Sequence, residues 1–259
     1  MSYSSKERAE DAEKWLRYIT EDTYLRDNIE ESVRDSKIYD STFVHAPLYM
    51  VAPHACLILE NTDTVTALFS RKEDFMTERI AVLNFASFKN PGGGYRAGMY
   101  AQEEALCSKS TLYPILNKNM DYYMYNREHL NRGLYENRAL LTPCVAFEHD
   151  GIINYADVLT CAAPNRSLLR YGKFTEEENE KVMHSRIVFI KMILESLNYD
   201  SVILGAWGCG VFKQKPSFVA ETMYKEFGES SIPNVIFAIP SGPNFDVFKT
   251  VLGQTVSGH

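Results

Sequence analysis

Little in this chain points to the cell exterior, to a membrane or to nucleic acid. Its five cysteines (Cys56, Cys107, Cys144, Cys161 and Cys209) are odd in number and form no C-x-x-C pair, which fits reduced thiols better than a disulfide framework or a zinc site. The six histidines show no H-E-x-x-H or other ligand spacing, so neither a metal nor a redox cofactor is expected. No run approaches the roughly twenty apolar residues of a membrane helix, and residues 1–13 are charged and lack the apolar centre of a signal peptide. An intracellular protein is expected, cytoplasmic or, in a eukaryote, nuclear, with no membrane partner. Positive charge is also short: 27 Lys and Arg stand against 34 Asp and Glu, a net charge of −7. General nucleic-acid binding, which needs many Lys and Arg contacts to phosphate, is poorly supported. Any phosphate recognition must be local.

Low-complexity tracts are absent, and 45% apolar with 24% charged residues is ordinary for a globular chain. A length of 259 residues allows one large domain with an N-terminal extension. Residues 5–35 are charged and helix-favouring, with Trp15, Leu16 and Ile19 as the buried positions of a first amphipathic helix. After Pro47 and Pro53 short apolar runs alternate with helical segments. Strands are expected over residues 55–59, 80–85, 140–147, 152–155, 158–162, 201–204 and 235–239, and helices over 64–70, 103–116, 176–197 and 216–227. The clearest helix is 176–197: Thr175 is its N-cap with Glu178 three residues on, and Val182, Ile187, Ile190, Ile193, Leu194 and Leu197 form one stripe. Strands alternating with helices predict an α/β sheet covered on both faces.

The chemistry concentrates after the strand 80–85. There Asn84-Phe85-Ala86-Ser87 is followed by Asn90-Pro91-Gly92-Gly93-Gly94, a seven-residue spacer, and Gln102-Glu103-Glu104 at the start of a helix. Ligands of open α/β sheets bind beyond the carboxyl ends of strands, where this loop lies. Three glycines permit positive φ and close backbone approach, so their N–H groups could converge on phosphate oxygens. A flexible surface loop is the plain alternative for the triplet alone. One carboxylate in the first turn could merely satisfy the helix dipole. Two adjacent carboxylates beside the loop suggest more, since neighbouring anions raise one pKa and a carboxyl protonated near neutrality can act as a general acid. Adjacent residues cannot share a helix face, so their roles should differ. Glu104 is assigned as the acid and Glu103 as the group that orients sugar hydroxyls.

This glycine triplet, bounded gap and Gln-Glu-Glu resemble the signature loop of poly(ADP-ribose) glycohydrolases, and the wider run from Leu83 to Tyr113 is similar to the microbial-type branch. The resemblance implies a three-layer α/β/α macrodomain with a mixed central sheet. Residues 1–40 would form a helical extension, residues 41–253 the catalytic domain and residues 254–259 a tail. It further implies hydrolysis of ribose-to-ribose O-glycosidic bonds, with ADP-ribose or poly(ADP-ribose) on modified proteins as partner. Asn84, Ser87, Asn90, Gly92, Gly93, Gly94 and Gln102 would then line the ligand. Many macrodomains carry a second asparagine where Ser87 stands, so the hydroxyl contacts of that residue do not transfer in full.

A second glycine turn, Gly205-Ala206-Trp207-Gly208-Cys209-Gly210-Val211-Phe212, joins a strand to a helix and is suited to holding a diphosphate through backbone N–H groups. It resembles the second phosphate loop of macrodomains, which implies ligand contacts from Gly208, Cys209, Gly210 and Val211. Phe212 would pack on the distal ribose, or serve as a hydrophobic staple. Asp63 resembles the macrodomain acid that recognises adenine, and is equally placed to cap helix 64–70. Asn244 and Phe245 stand where macrodomains often contact adenine, although a buried C-terminal Phe is the competing reading. Residues 161–165 resemble a family segment of unassigned role. The tyrosines Tyr122, Tyr123 and Tyr125 read as core or helix surface. Two other functions stay open at this stage: a non-catalytic ADP-ribose reader, which would not need Gln-Glu-Glu, and a hydrolase of mono-ADP-ribosylated targets.

Overall fold

The computed structural model describes residues 3–45, 55–71 and 78–256. Pro47 and Pro53, where the sequence texture changes, lie outside them. Helices α1 (Ser5–Glu21) and α2 (Thr23–Arg34) lead into strand β1 (Lys37–Asp40); then come β2 (Cys56–Glu60), α3 (Thr64–Ser70) and β3 (Ile80–Phe85). Three short helices follow, α4 (Gln102–Cys107), α5 (Leu112–Lys118) and α6 (Met120–Glu128), and then the hairpin of β4 (Arg138–His149) and β5 (Ile152–Cys161). The chain finishes with α7 (Glu176–Ser196), β6 (Ser201–Leu204), α8 (Pro216–Gly228), β7 (Asn234–Ala238) and α9 (Pro243–Val256).

Seven strands form one mixed sheet in the order β1-β4-β5-β3-β6-β7-β2. β5, β3, β6, β7 and β2 run parallel to one another, while β4 is antiparallel to both β1 and β5. Side chains of a strand alternate between faces, and β3 shows what that does here. Ala81 and Leu83 pack with Ile187 and Ile190 of α7, Met223 of α8 and Phe248 of α9. Ile80 and Val82 pack on the other face with Ile19 of α1, Leu68 of α3, Leu106 of α4 and Ile115 of α5. The result is the expected three-layer α/β/α arrangement with a mixed sheet. By the same alternation Asn84, the next even residue of β3, faces the layer that holds α4.

Several expected elements differ in extent. The first helical stretch breaks at Asp22, whose carboxylate caps α2 by accepting from Leu25 N–H at 2.9 Å. Residues 37–40, read as part of the helical extension, instead form a strand of the sheet, pairing with residues 138–141. The helix expected over 103–116 is two helices. Between them Ser110 Oγ donates to Leu106 O and accepts from Leu112 N–H, while Thr111 N–H donates to Ala146 O. Hydroxyl side chains offer the backbone an alternative to the helical ladder, and the chain takes it to reach β4. The two strands expected over 152–162 are the single strand β5. α9 runs to Val256, three residues into the expected tail. No helix of the described residues is long and apolar enough to cross a membrane.

Candidate active site

The parallel strands β2, β7, β6, β3 and β5 all end on one side of the sheet, and the candidate ligand-contacting residues lie at those strand ends, in the loops that follow them or in the first turns of the helices after those loops. Between β3 and α4 the chain turns at Gly92 (φ 66°) and Gly93 (φ 59°), a conformation that costs any residue with a Cβ. Their glycine identity answers to packing as well. A Cβ on Gly93 would stand 2.5 Å from Glu104 Oε1 and 3.0 Å from Glu103 Oε2, and one on Gly92 would stand 2.5 Å from the Tyr113 ring. The triplet thus lets the backbone lie directly on the two glutamates.

Glu103 is 3% exposed. Its Oε2 accepts from Ser87 N–H at 2.7 Å and its Oε1 from Asn84 Nδ2 at 3.3 Å; Gly92 N–H is a further donor. Burial pushes its carboxyl from the usual 4.5 up to about 8, with those donors pulling the other way and the Glu104 charge adding to the rise. Desolvation therefore outweighs the neighbouring carboxylate that the sequence suggested as the cause. Glu104 is only half buried, and its Oε1 accepts from Gly94 N–H at 2.9 Å.

The amides of the triplet therefore face inward: Gly92 to Glu103, Gly93 to Asn90 O (3.0 Å) and Gly94 to Glu104. The sequence reading aimed them at phosphate. In this structure the amides of Gly92 and Gly94 satisfy carboxylates instead and that of Gly93 a carbonyl, and a buried carboxylate without donors is costly. Asn84 is fully buried at the end of β3; its Nδ2 also donates to Thr160 Oγ1 at 3.2 Å, and its Oδ1 has no partner among the described residues. Gln102 is occupied within the protein: its Oε1 accepts from Phe85 N–H, and its Nε2 donates to Leu83 O and Thr64 Oγ1. It ties α4 to the end of β3 and to α3. Ser87 is half buried and its hydroxyl accepts from the N–H of exposed Asn90.

The second glycine turn lies between β6 and α8. Gly208 takes φ 76°, and a Cβ there would meet both Ala163 and Gln214 at 2.8 Å; Gly210 faces open space. Cys209 N–H is spent on Ala206 O, whereas the amides of Gly210, Val211 and Phe212 have no acceptor among the described residues. Val211 is well exposed. Phe212 packs against Phe88, Tyr135 and Ala162 and also against the core cluster that includes Val219 and Ala220 of α8, so its ring joins an aromatic cluster while bordering that core. Asp63 caps α3, accepting from Val65 and Thr66 N–H through Oδ1 and from Thr66 Oγ1 through Oδ2. Nearby Ser241 Oγ donates to Asn61 Oδ1, joining the loops after β7 and β2. Asn244 and Phe245 lie half buried in the first turn of α9, and the fully buried C-terminal Phe is Phe248.

Sequence reasoning missed the residues that brace these loops. Arg186 of α7, 1% exposed, donates to Asn137 Oδ1, Ala162 O and Leu134 O. It sits among the apolar stripe of α7, and only its polarity at a buried position could have marked it. Between those contacts Tyr135 holds φ 60° and its ring stacks on Phe88 with centroids 3.9 Å apart. A positive φ in a bulky non-glycine residue is strain that its surroundings must enforce. Gln214 and Asn179 exchange two hydrogen bonds, and Gln214 Nε2 also donates to Pro164 O. These bonds lock the residues on which Gly208 rests. Tyr122 and Tyr123 are core, as the sequence suggested, and Tyr125 is exposed. Among the described residues no three His, Cys, Asp or Glu side chains converge as a metal site.

The α/β/α fold, with two glycine turns and a paired glutamate beyond the ends of the parallel strands, is macrodomain-like. The family model of the microbial-type PARG catalytic domain matches residues 6–150, more than half of the chain, and the protein belongs to that family of poly(ADP-ribose) glycohydrolases. The fold is similar to poly(ADP-ribose) glycohydrolase from Thermomonospora curvata, with TM-score 0.81, 24% identity, and 94% of this chain and 98% of that one covered. The Thermomonospora curvata enzyme bound to the inhibitor ADP-HPD matches with TM-score 0.80 at 25% identity over the same shares. A single-residue mutant of the Deinococcus radiodurans enzyme in complex with ADP-ribose matches with TM-score 0.72 at 25% identity, covering 87% of this chain and 97% of that one. No curated protein sequence matches.

Proposed function

We propose that the protein hydrolyses the ribose-to-ribose O-glycosidic bond of poly(ADP-ribose) on modified proteins, releasing ADP-ribose, with Glu104 as general acid and then general base. The observation that carries this is the half-buried Glu104 carboxylate hydrogen-bonded to the third glycine of the triplet, beside a second carboxylate that burial withdraws from solvent. Glu104 protonates the leaving hydroxyl oxygen as the bond to the distal ribose breaks, and positive charge develops on that ribose. The carboxylate left behind, with the ligand's own phosphate, stabilises this charge. Glu104 then takes a proton from water as the water adds to the same carbon. One residue serves both proton transfers, unlike the opposed pair of carboxylates of most glycosidases.

Glu103 is the competing proton donor, because its pKa of about 8 keeps it protonated near neutrality. Its burial and its three protein donors argue for an orienting role, since an acid must reach the leaving oxygen. The unpaired Oδ1 of Asn84 offers an acceptor for a ribose hydroxyl, as buried polar atoms are seldom left without a partner. The free amides of residues 210–212 take the diphosphate, which lets an acidic protein hold an anionic ligand without lysine or arginine. Asp63, Asn244 and Phe245 border the adenine end, at the edge of the sheet formed by β7 and β2.

Product analysis with defined polymer and with mono-ADP-ribosylated protein tests the reading. Release of ADP-ribose from polymer is expected, and a Glu104→Gln variant should lose it by about a thousandfold or more, within the range of general acid–base contributions, while keeping ADP-ribose affinity. Parent-like turnover by Glu104→Gln would overturn the assignment. Turnover confined to the mono-ADP-ribosyl substrate would overturn the polymer as substrate.

A further inference from the structure

Just before α4 the surface carries two adjacent large apolar side chains that the core does not use, the first of them beside the glycine that Glu104 touches. Met99 is 59% exposed and Tyr100 is 74% exposed. Met99 N–H donates to Gly94 O at 3.1 Å. Its side chain lies over Gly94 so closely that a Cβ on that glycine would stand 2.4 Å from Met99 Cγ, with Glu104 Oε1 3.7 Å from the same point. Met99 and the proposed acid thus flank one glycine. Tyr100 follows directly, and Arg8 of α1 steadies it: the guanidinium stands 5.9 Å from the ring centroid, and Arg8 Nε donates to Gly98 O at 2.7 Å. Gly98 itself is pressed against α1, where a Cβ would collide with Ser5 O. The rim is therefore a braced surface. Single exposed apolar residues need no explanation, but adjacent ones on a fixed backbone beside a reacting group do.

The chemistry of cleavage says what lies there. A general acid touches the oxygen of the leaving group, so the departing part of the polymer must occupy the open side of Glu104, while the ADP-ribose unit to be released occupies the two glycine turns. In a ribose-to-ribose link the departing oxygen belongs to the ribose of an adenosine, which brings an adenine ring within a few ångströms of the acid. Adenine stacks on aromatic rings and on polarizable thioethers. We propose that Met99 and Tyr100 form a leaving-group subsite that binds the adenosine of the departing ADP-ribose unit. This rests on the reading of Glu104 as the acid.

The test compares the affinity of ADP-ribose with that of an ADP-ribose dimer in the Glu104→Gln background, where the dimer stays intact. The dimer is expected to bind about tenfold more tightly than the monomer, a modest value for base stacking on an aromatic ring. Adding Tyr100→Ala should close that gap and leave monomer affinity within about twofold, and Tyr100→Trp should keep the gap. An absent gap, a gap untouched by Tyr100→Ala, or equal loss for monomer and dimer would overturn the subsite. Failure of the parent protein to release ADP-ribose from polymer is a different result and would overturn the hydrolase reading instead.

Discussion

The two glycine turns of this site look alike in sequence and serve opposite ends of the chemistry. In the first, residues 92–94, every amide is turned toward protein and the middle glycine, Gly93, lies against two carboxylates. In the second, residues 208–212, Gly208 is packed; Gly210 faces open space, and three successive amides stand without acceptors among the described residues. Glycine in the first turn makes room for the two glutamate side chains. Gly210 in the second leaves the space beside it open.

Substituting one glycine from each turn separates the two uses. Gly93→Ala puts a Cβ into the glutamate pair at a left-handed φ, and turnover of polymer should fall by about a hundredfold with a lowered Tm, since a misplacement of about an ångström costs that much. A fully active Gly93→Ala enzyme would erase the contrast. Gln214→Ala removes the brace of the second turn and leaves the Asn179 amide unpaired. Chemical denaturation should report a loss of about 2 kcal/mol, and a loss below about 0.5 kcal/mol would show that the turn holds itself. Glu103 gives a signature in pH. Its folded pKa of about 8 exceeds the usual 4.5, so the folded protein binds a proton that the unfolded chain has already lost. The stabilisation is complete below about 4.5 and is lost as pH rises toward 8, at no more than about 1.4 kcal/mol per pH unit. Glu103→Gln should flatten denaturation midpoints over that window, and an unchanged slope would mean that Glu103 is ionised in the fold. The smallest effect belongs to Gly210→Ala. Its Cβ meets no protein atom, so Tm should be unchanged while ADP-ribose affinity drops about fivefold by calorimetry, within the modest range for a single contact. Unchanged affinity would place the diphosphate elsewhere.

Much of this was legible in local pattern. Thr175 and Glu178 form the capping box that opens α7, as their spacing indicates, and the glycine triplet lies at the end of β3 where strand and turn signals put it. Asp63 was legible as a cap and is one. What local pattern misjudged was the orientation of groups. Nothing in Gly-Gly-Gly says whether its amides look inward or outward, and nothing in Glu-Glu says which side chain is sealed from water. Arg186 was hidden for a related reason: its partners, Asn137, Ala162 and Leu134, come from distant segments, and its helix position looks like any other on the stripe.

The sequence by itself determined where the chemistry would gather. Strand period, helix caps and positive-φ glycines act over a few residues, and they set the loops at one edge of a sheet. Only the tertiary structure decided which glutamate of the pair is sealed from water. Glu103 is buried because Ser87, Asn84 and Gly92 close over it, while Glu104 keeps a half-open face beside Met99. Solvent exclusion is a property of segments that meet in space, so it raised the pKa of one glutamate and left the other half open.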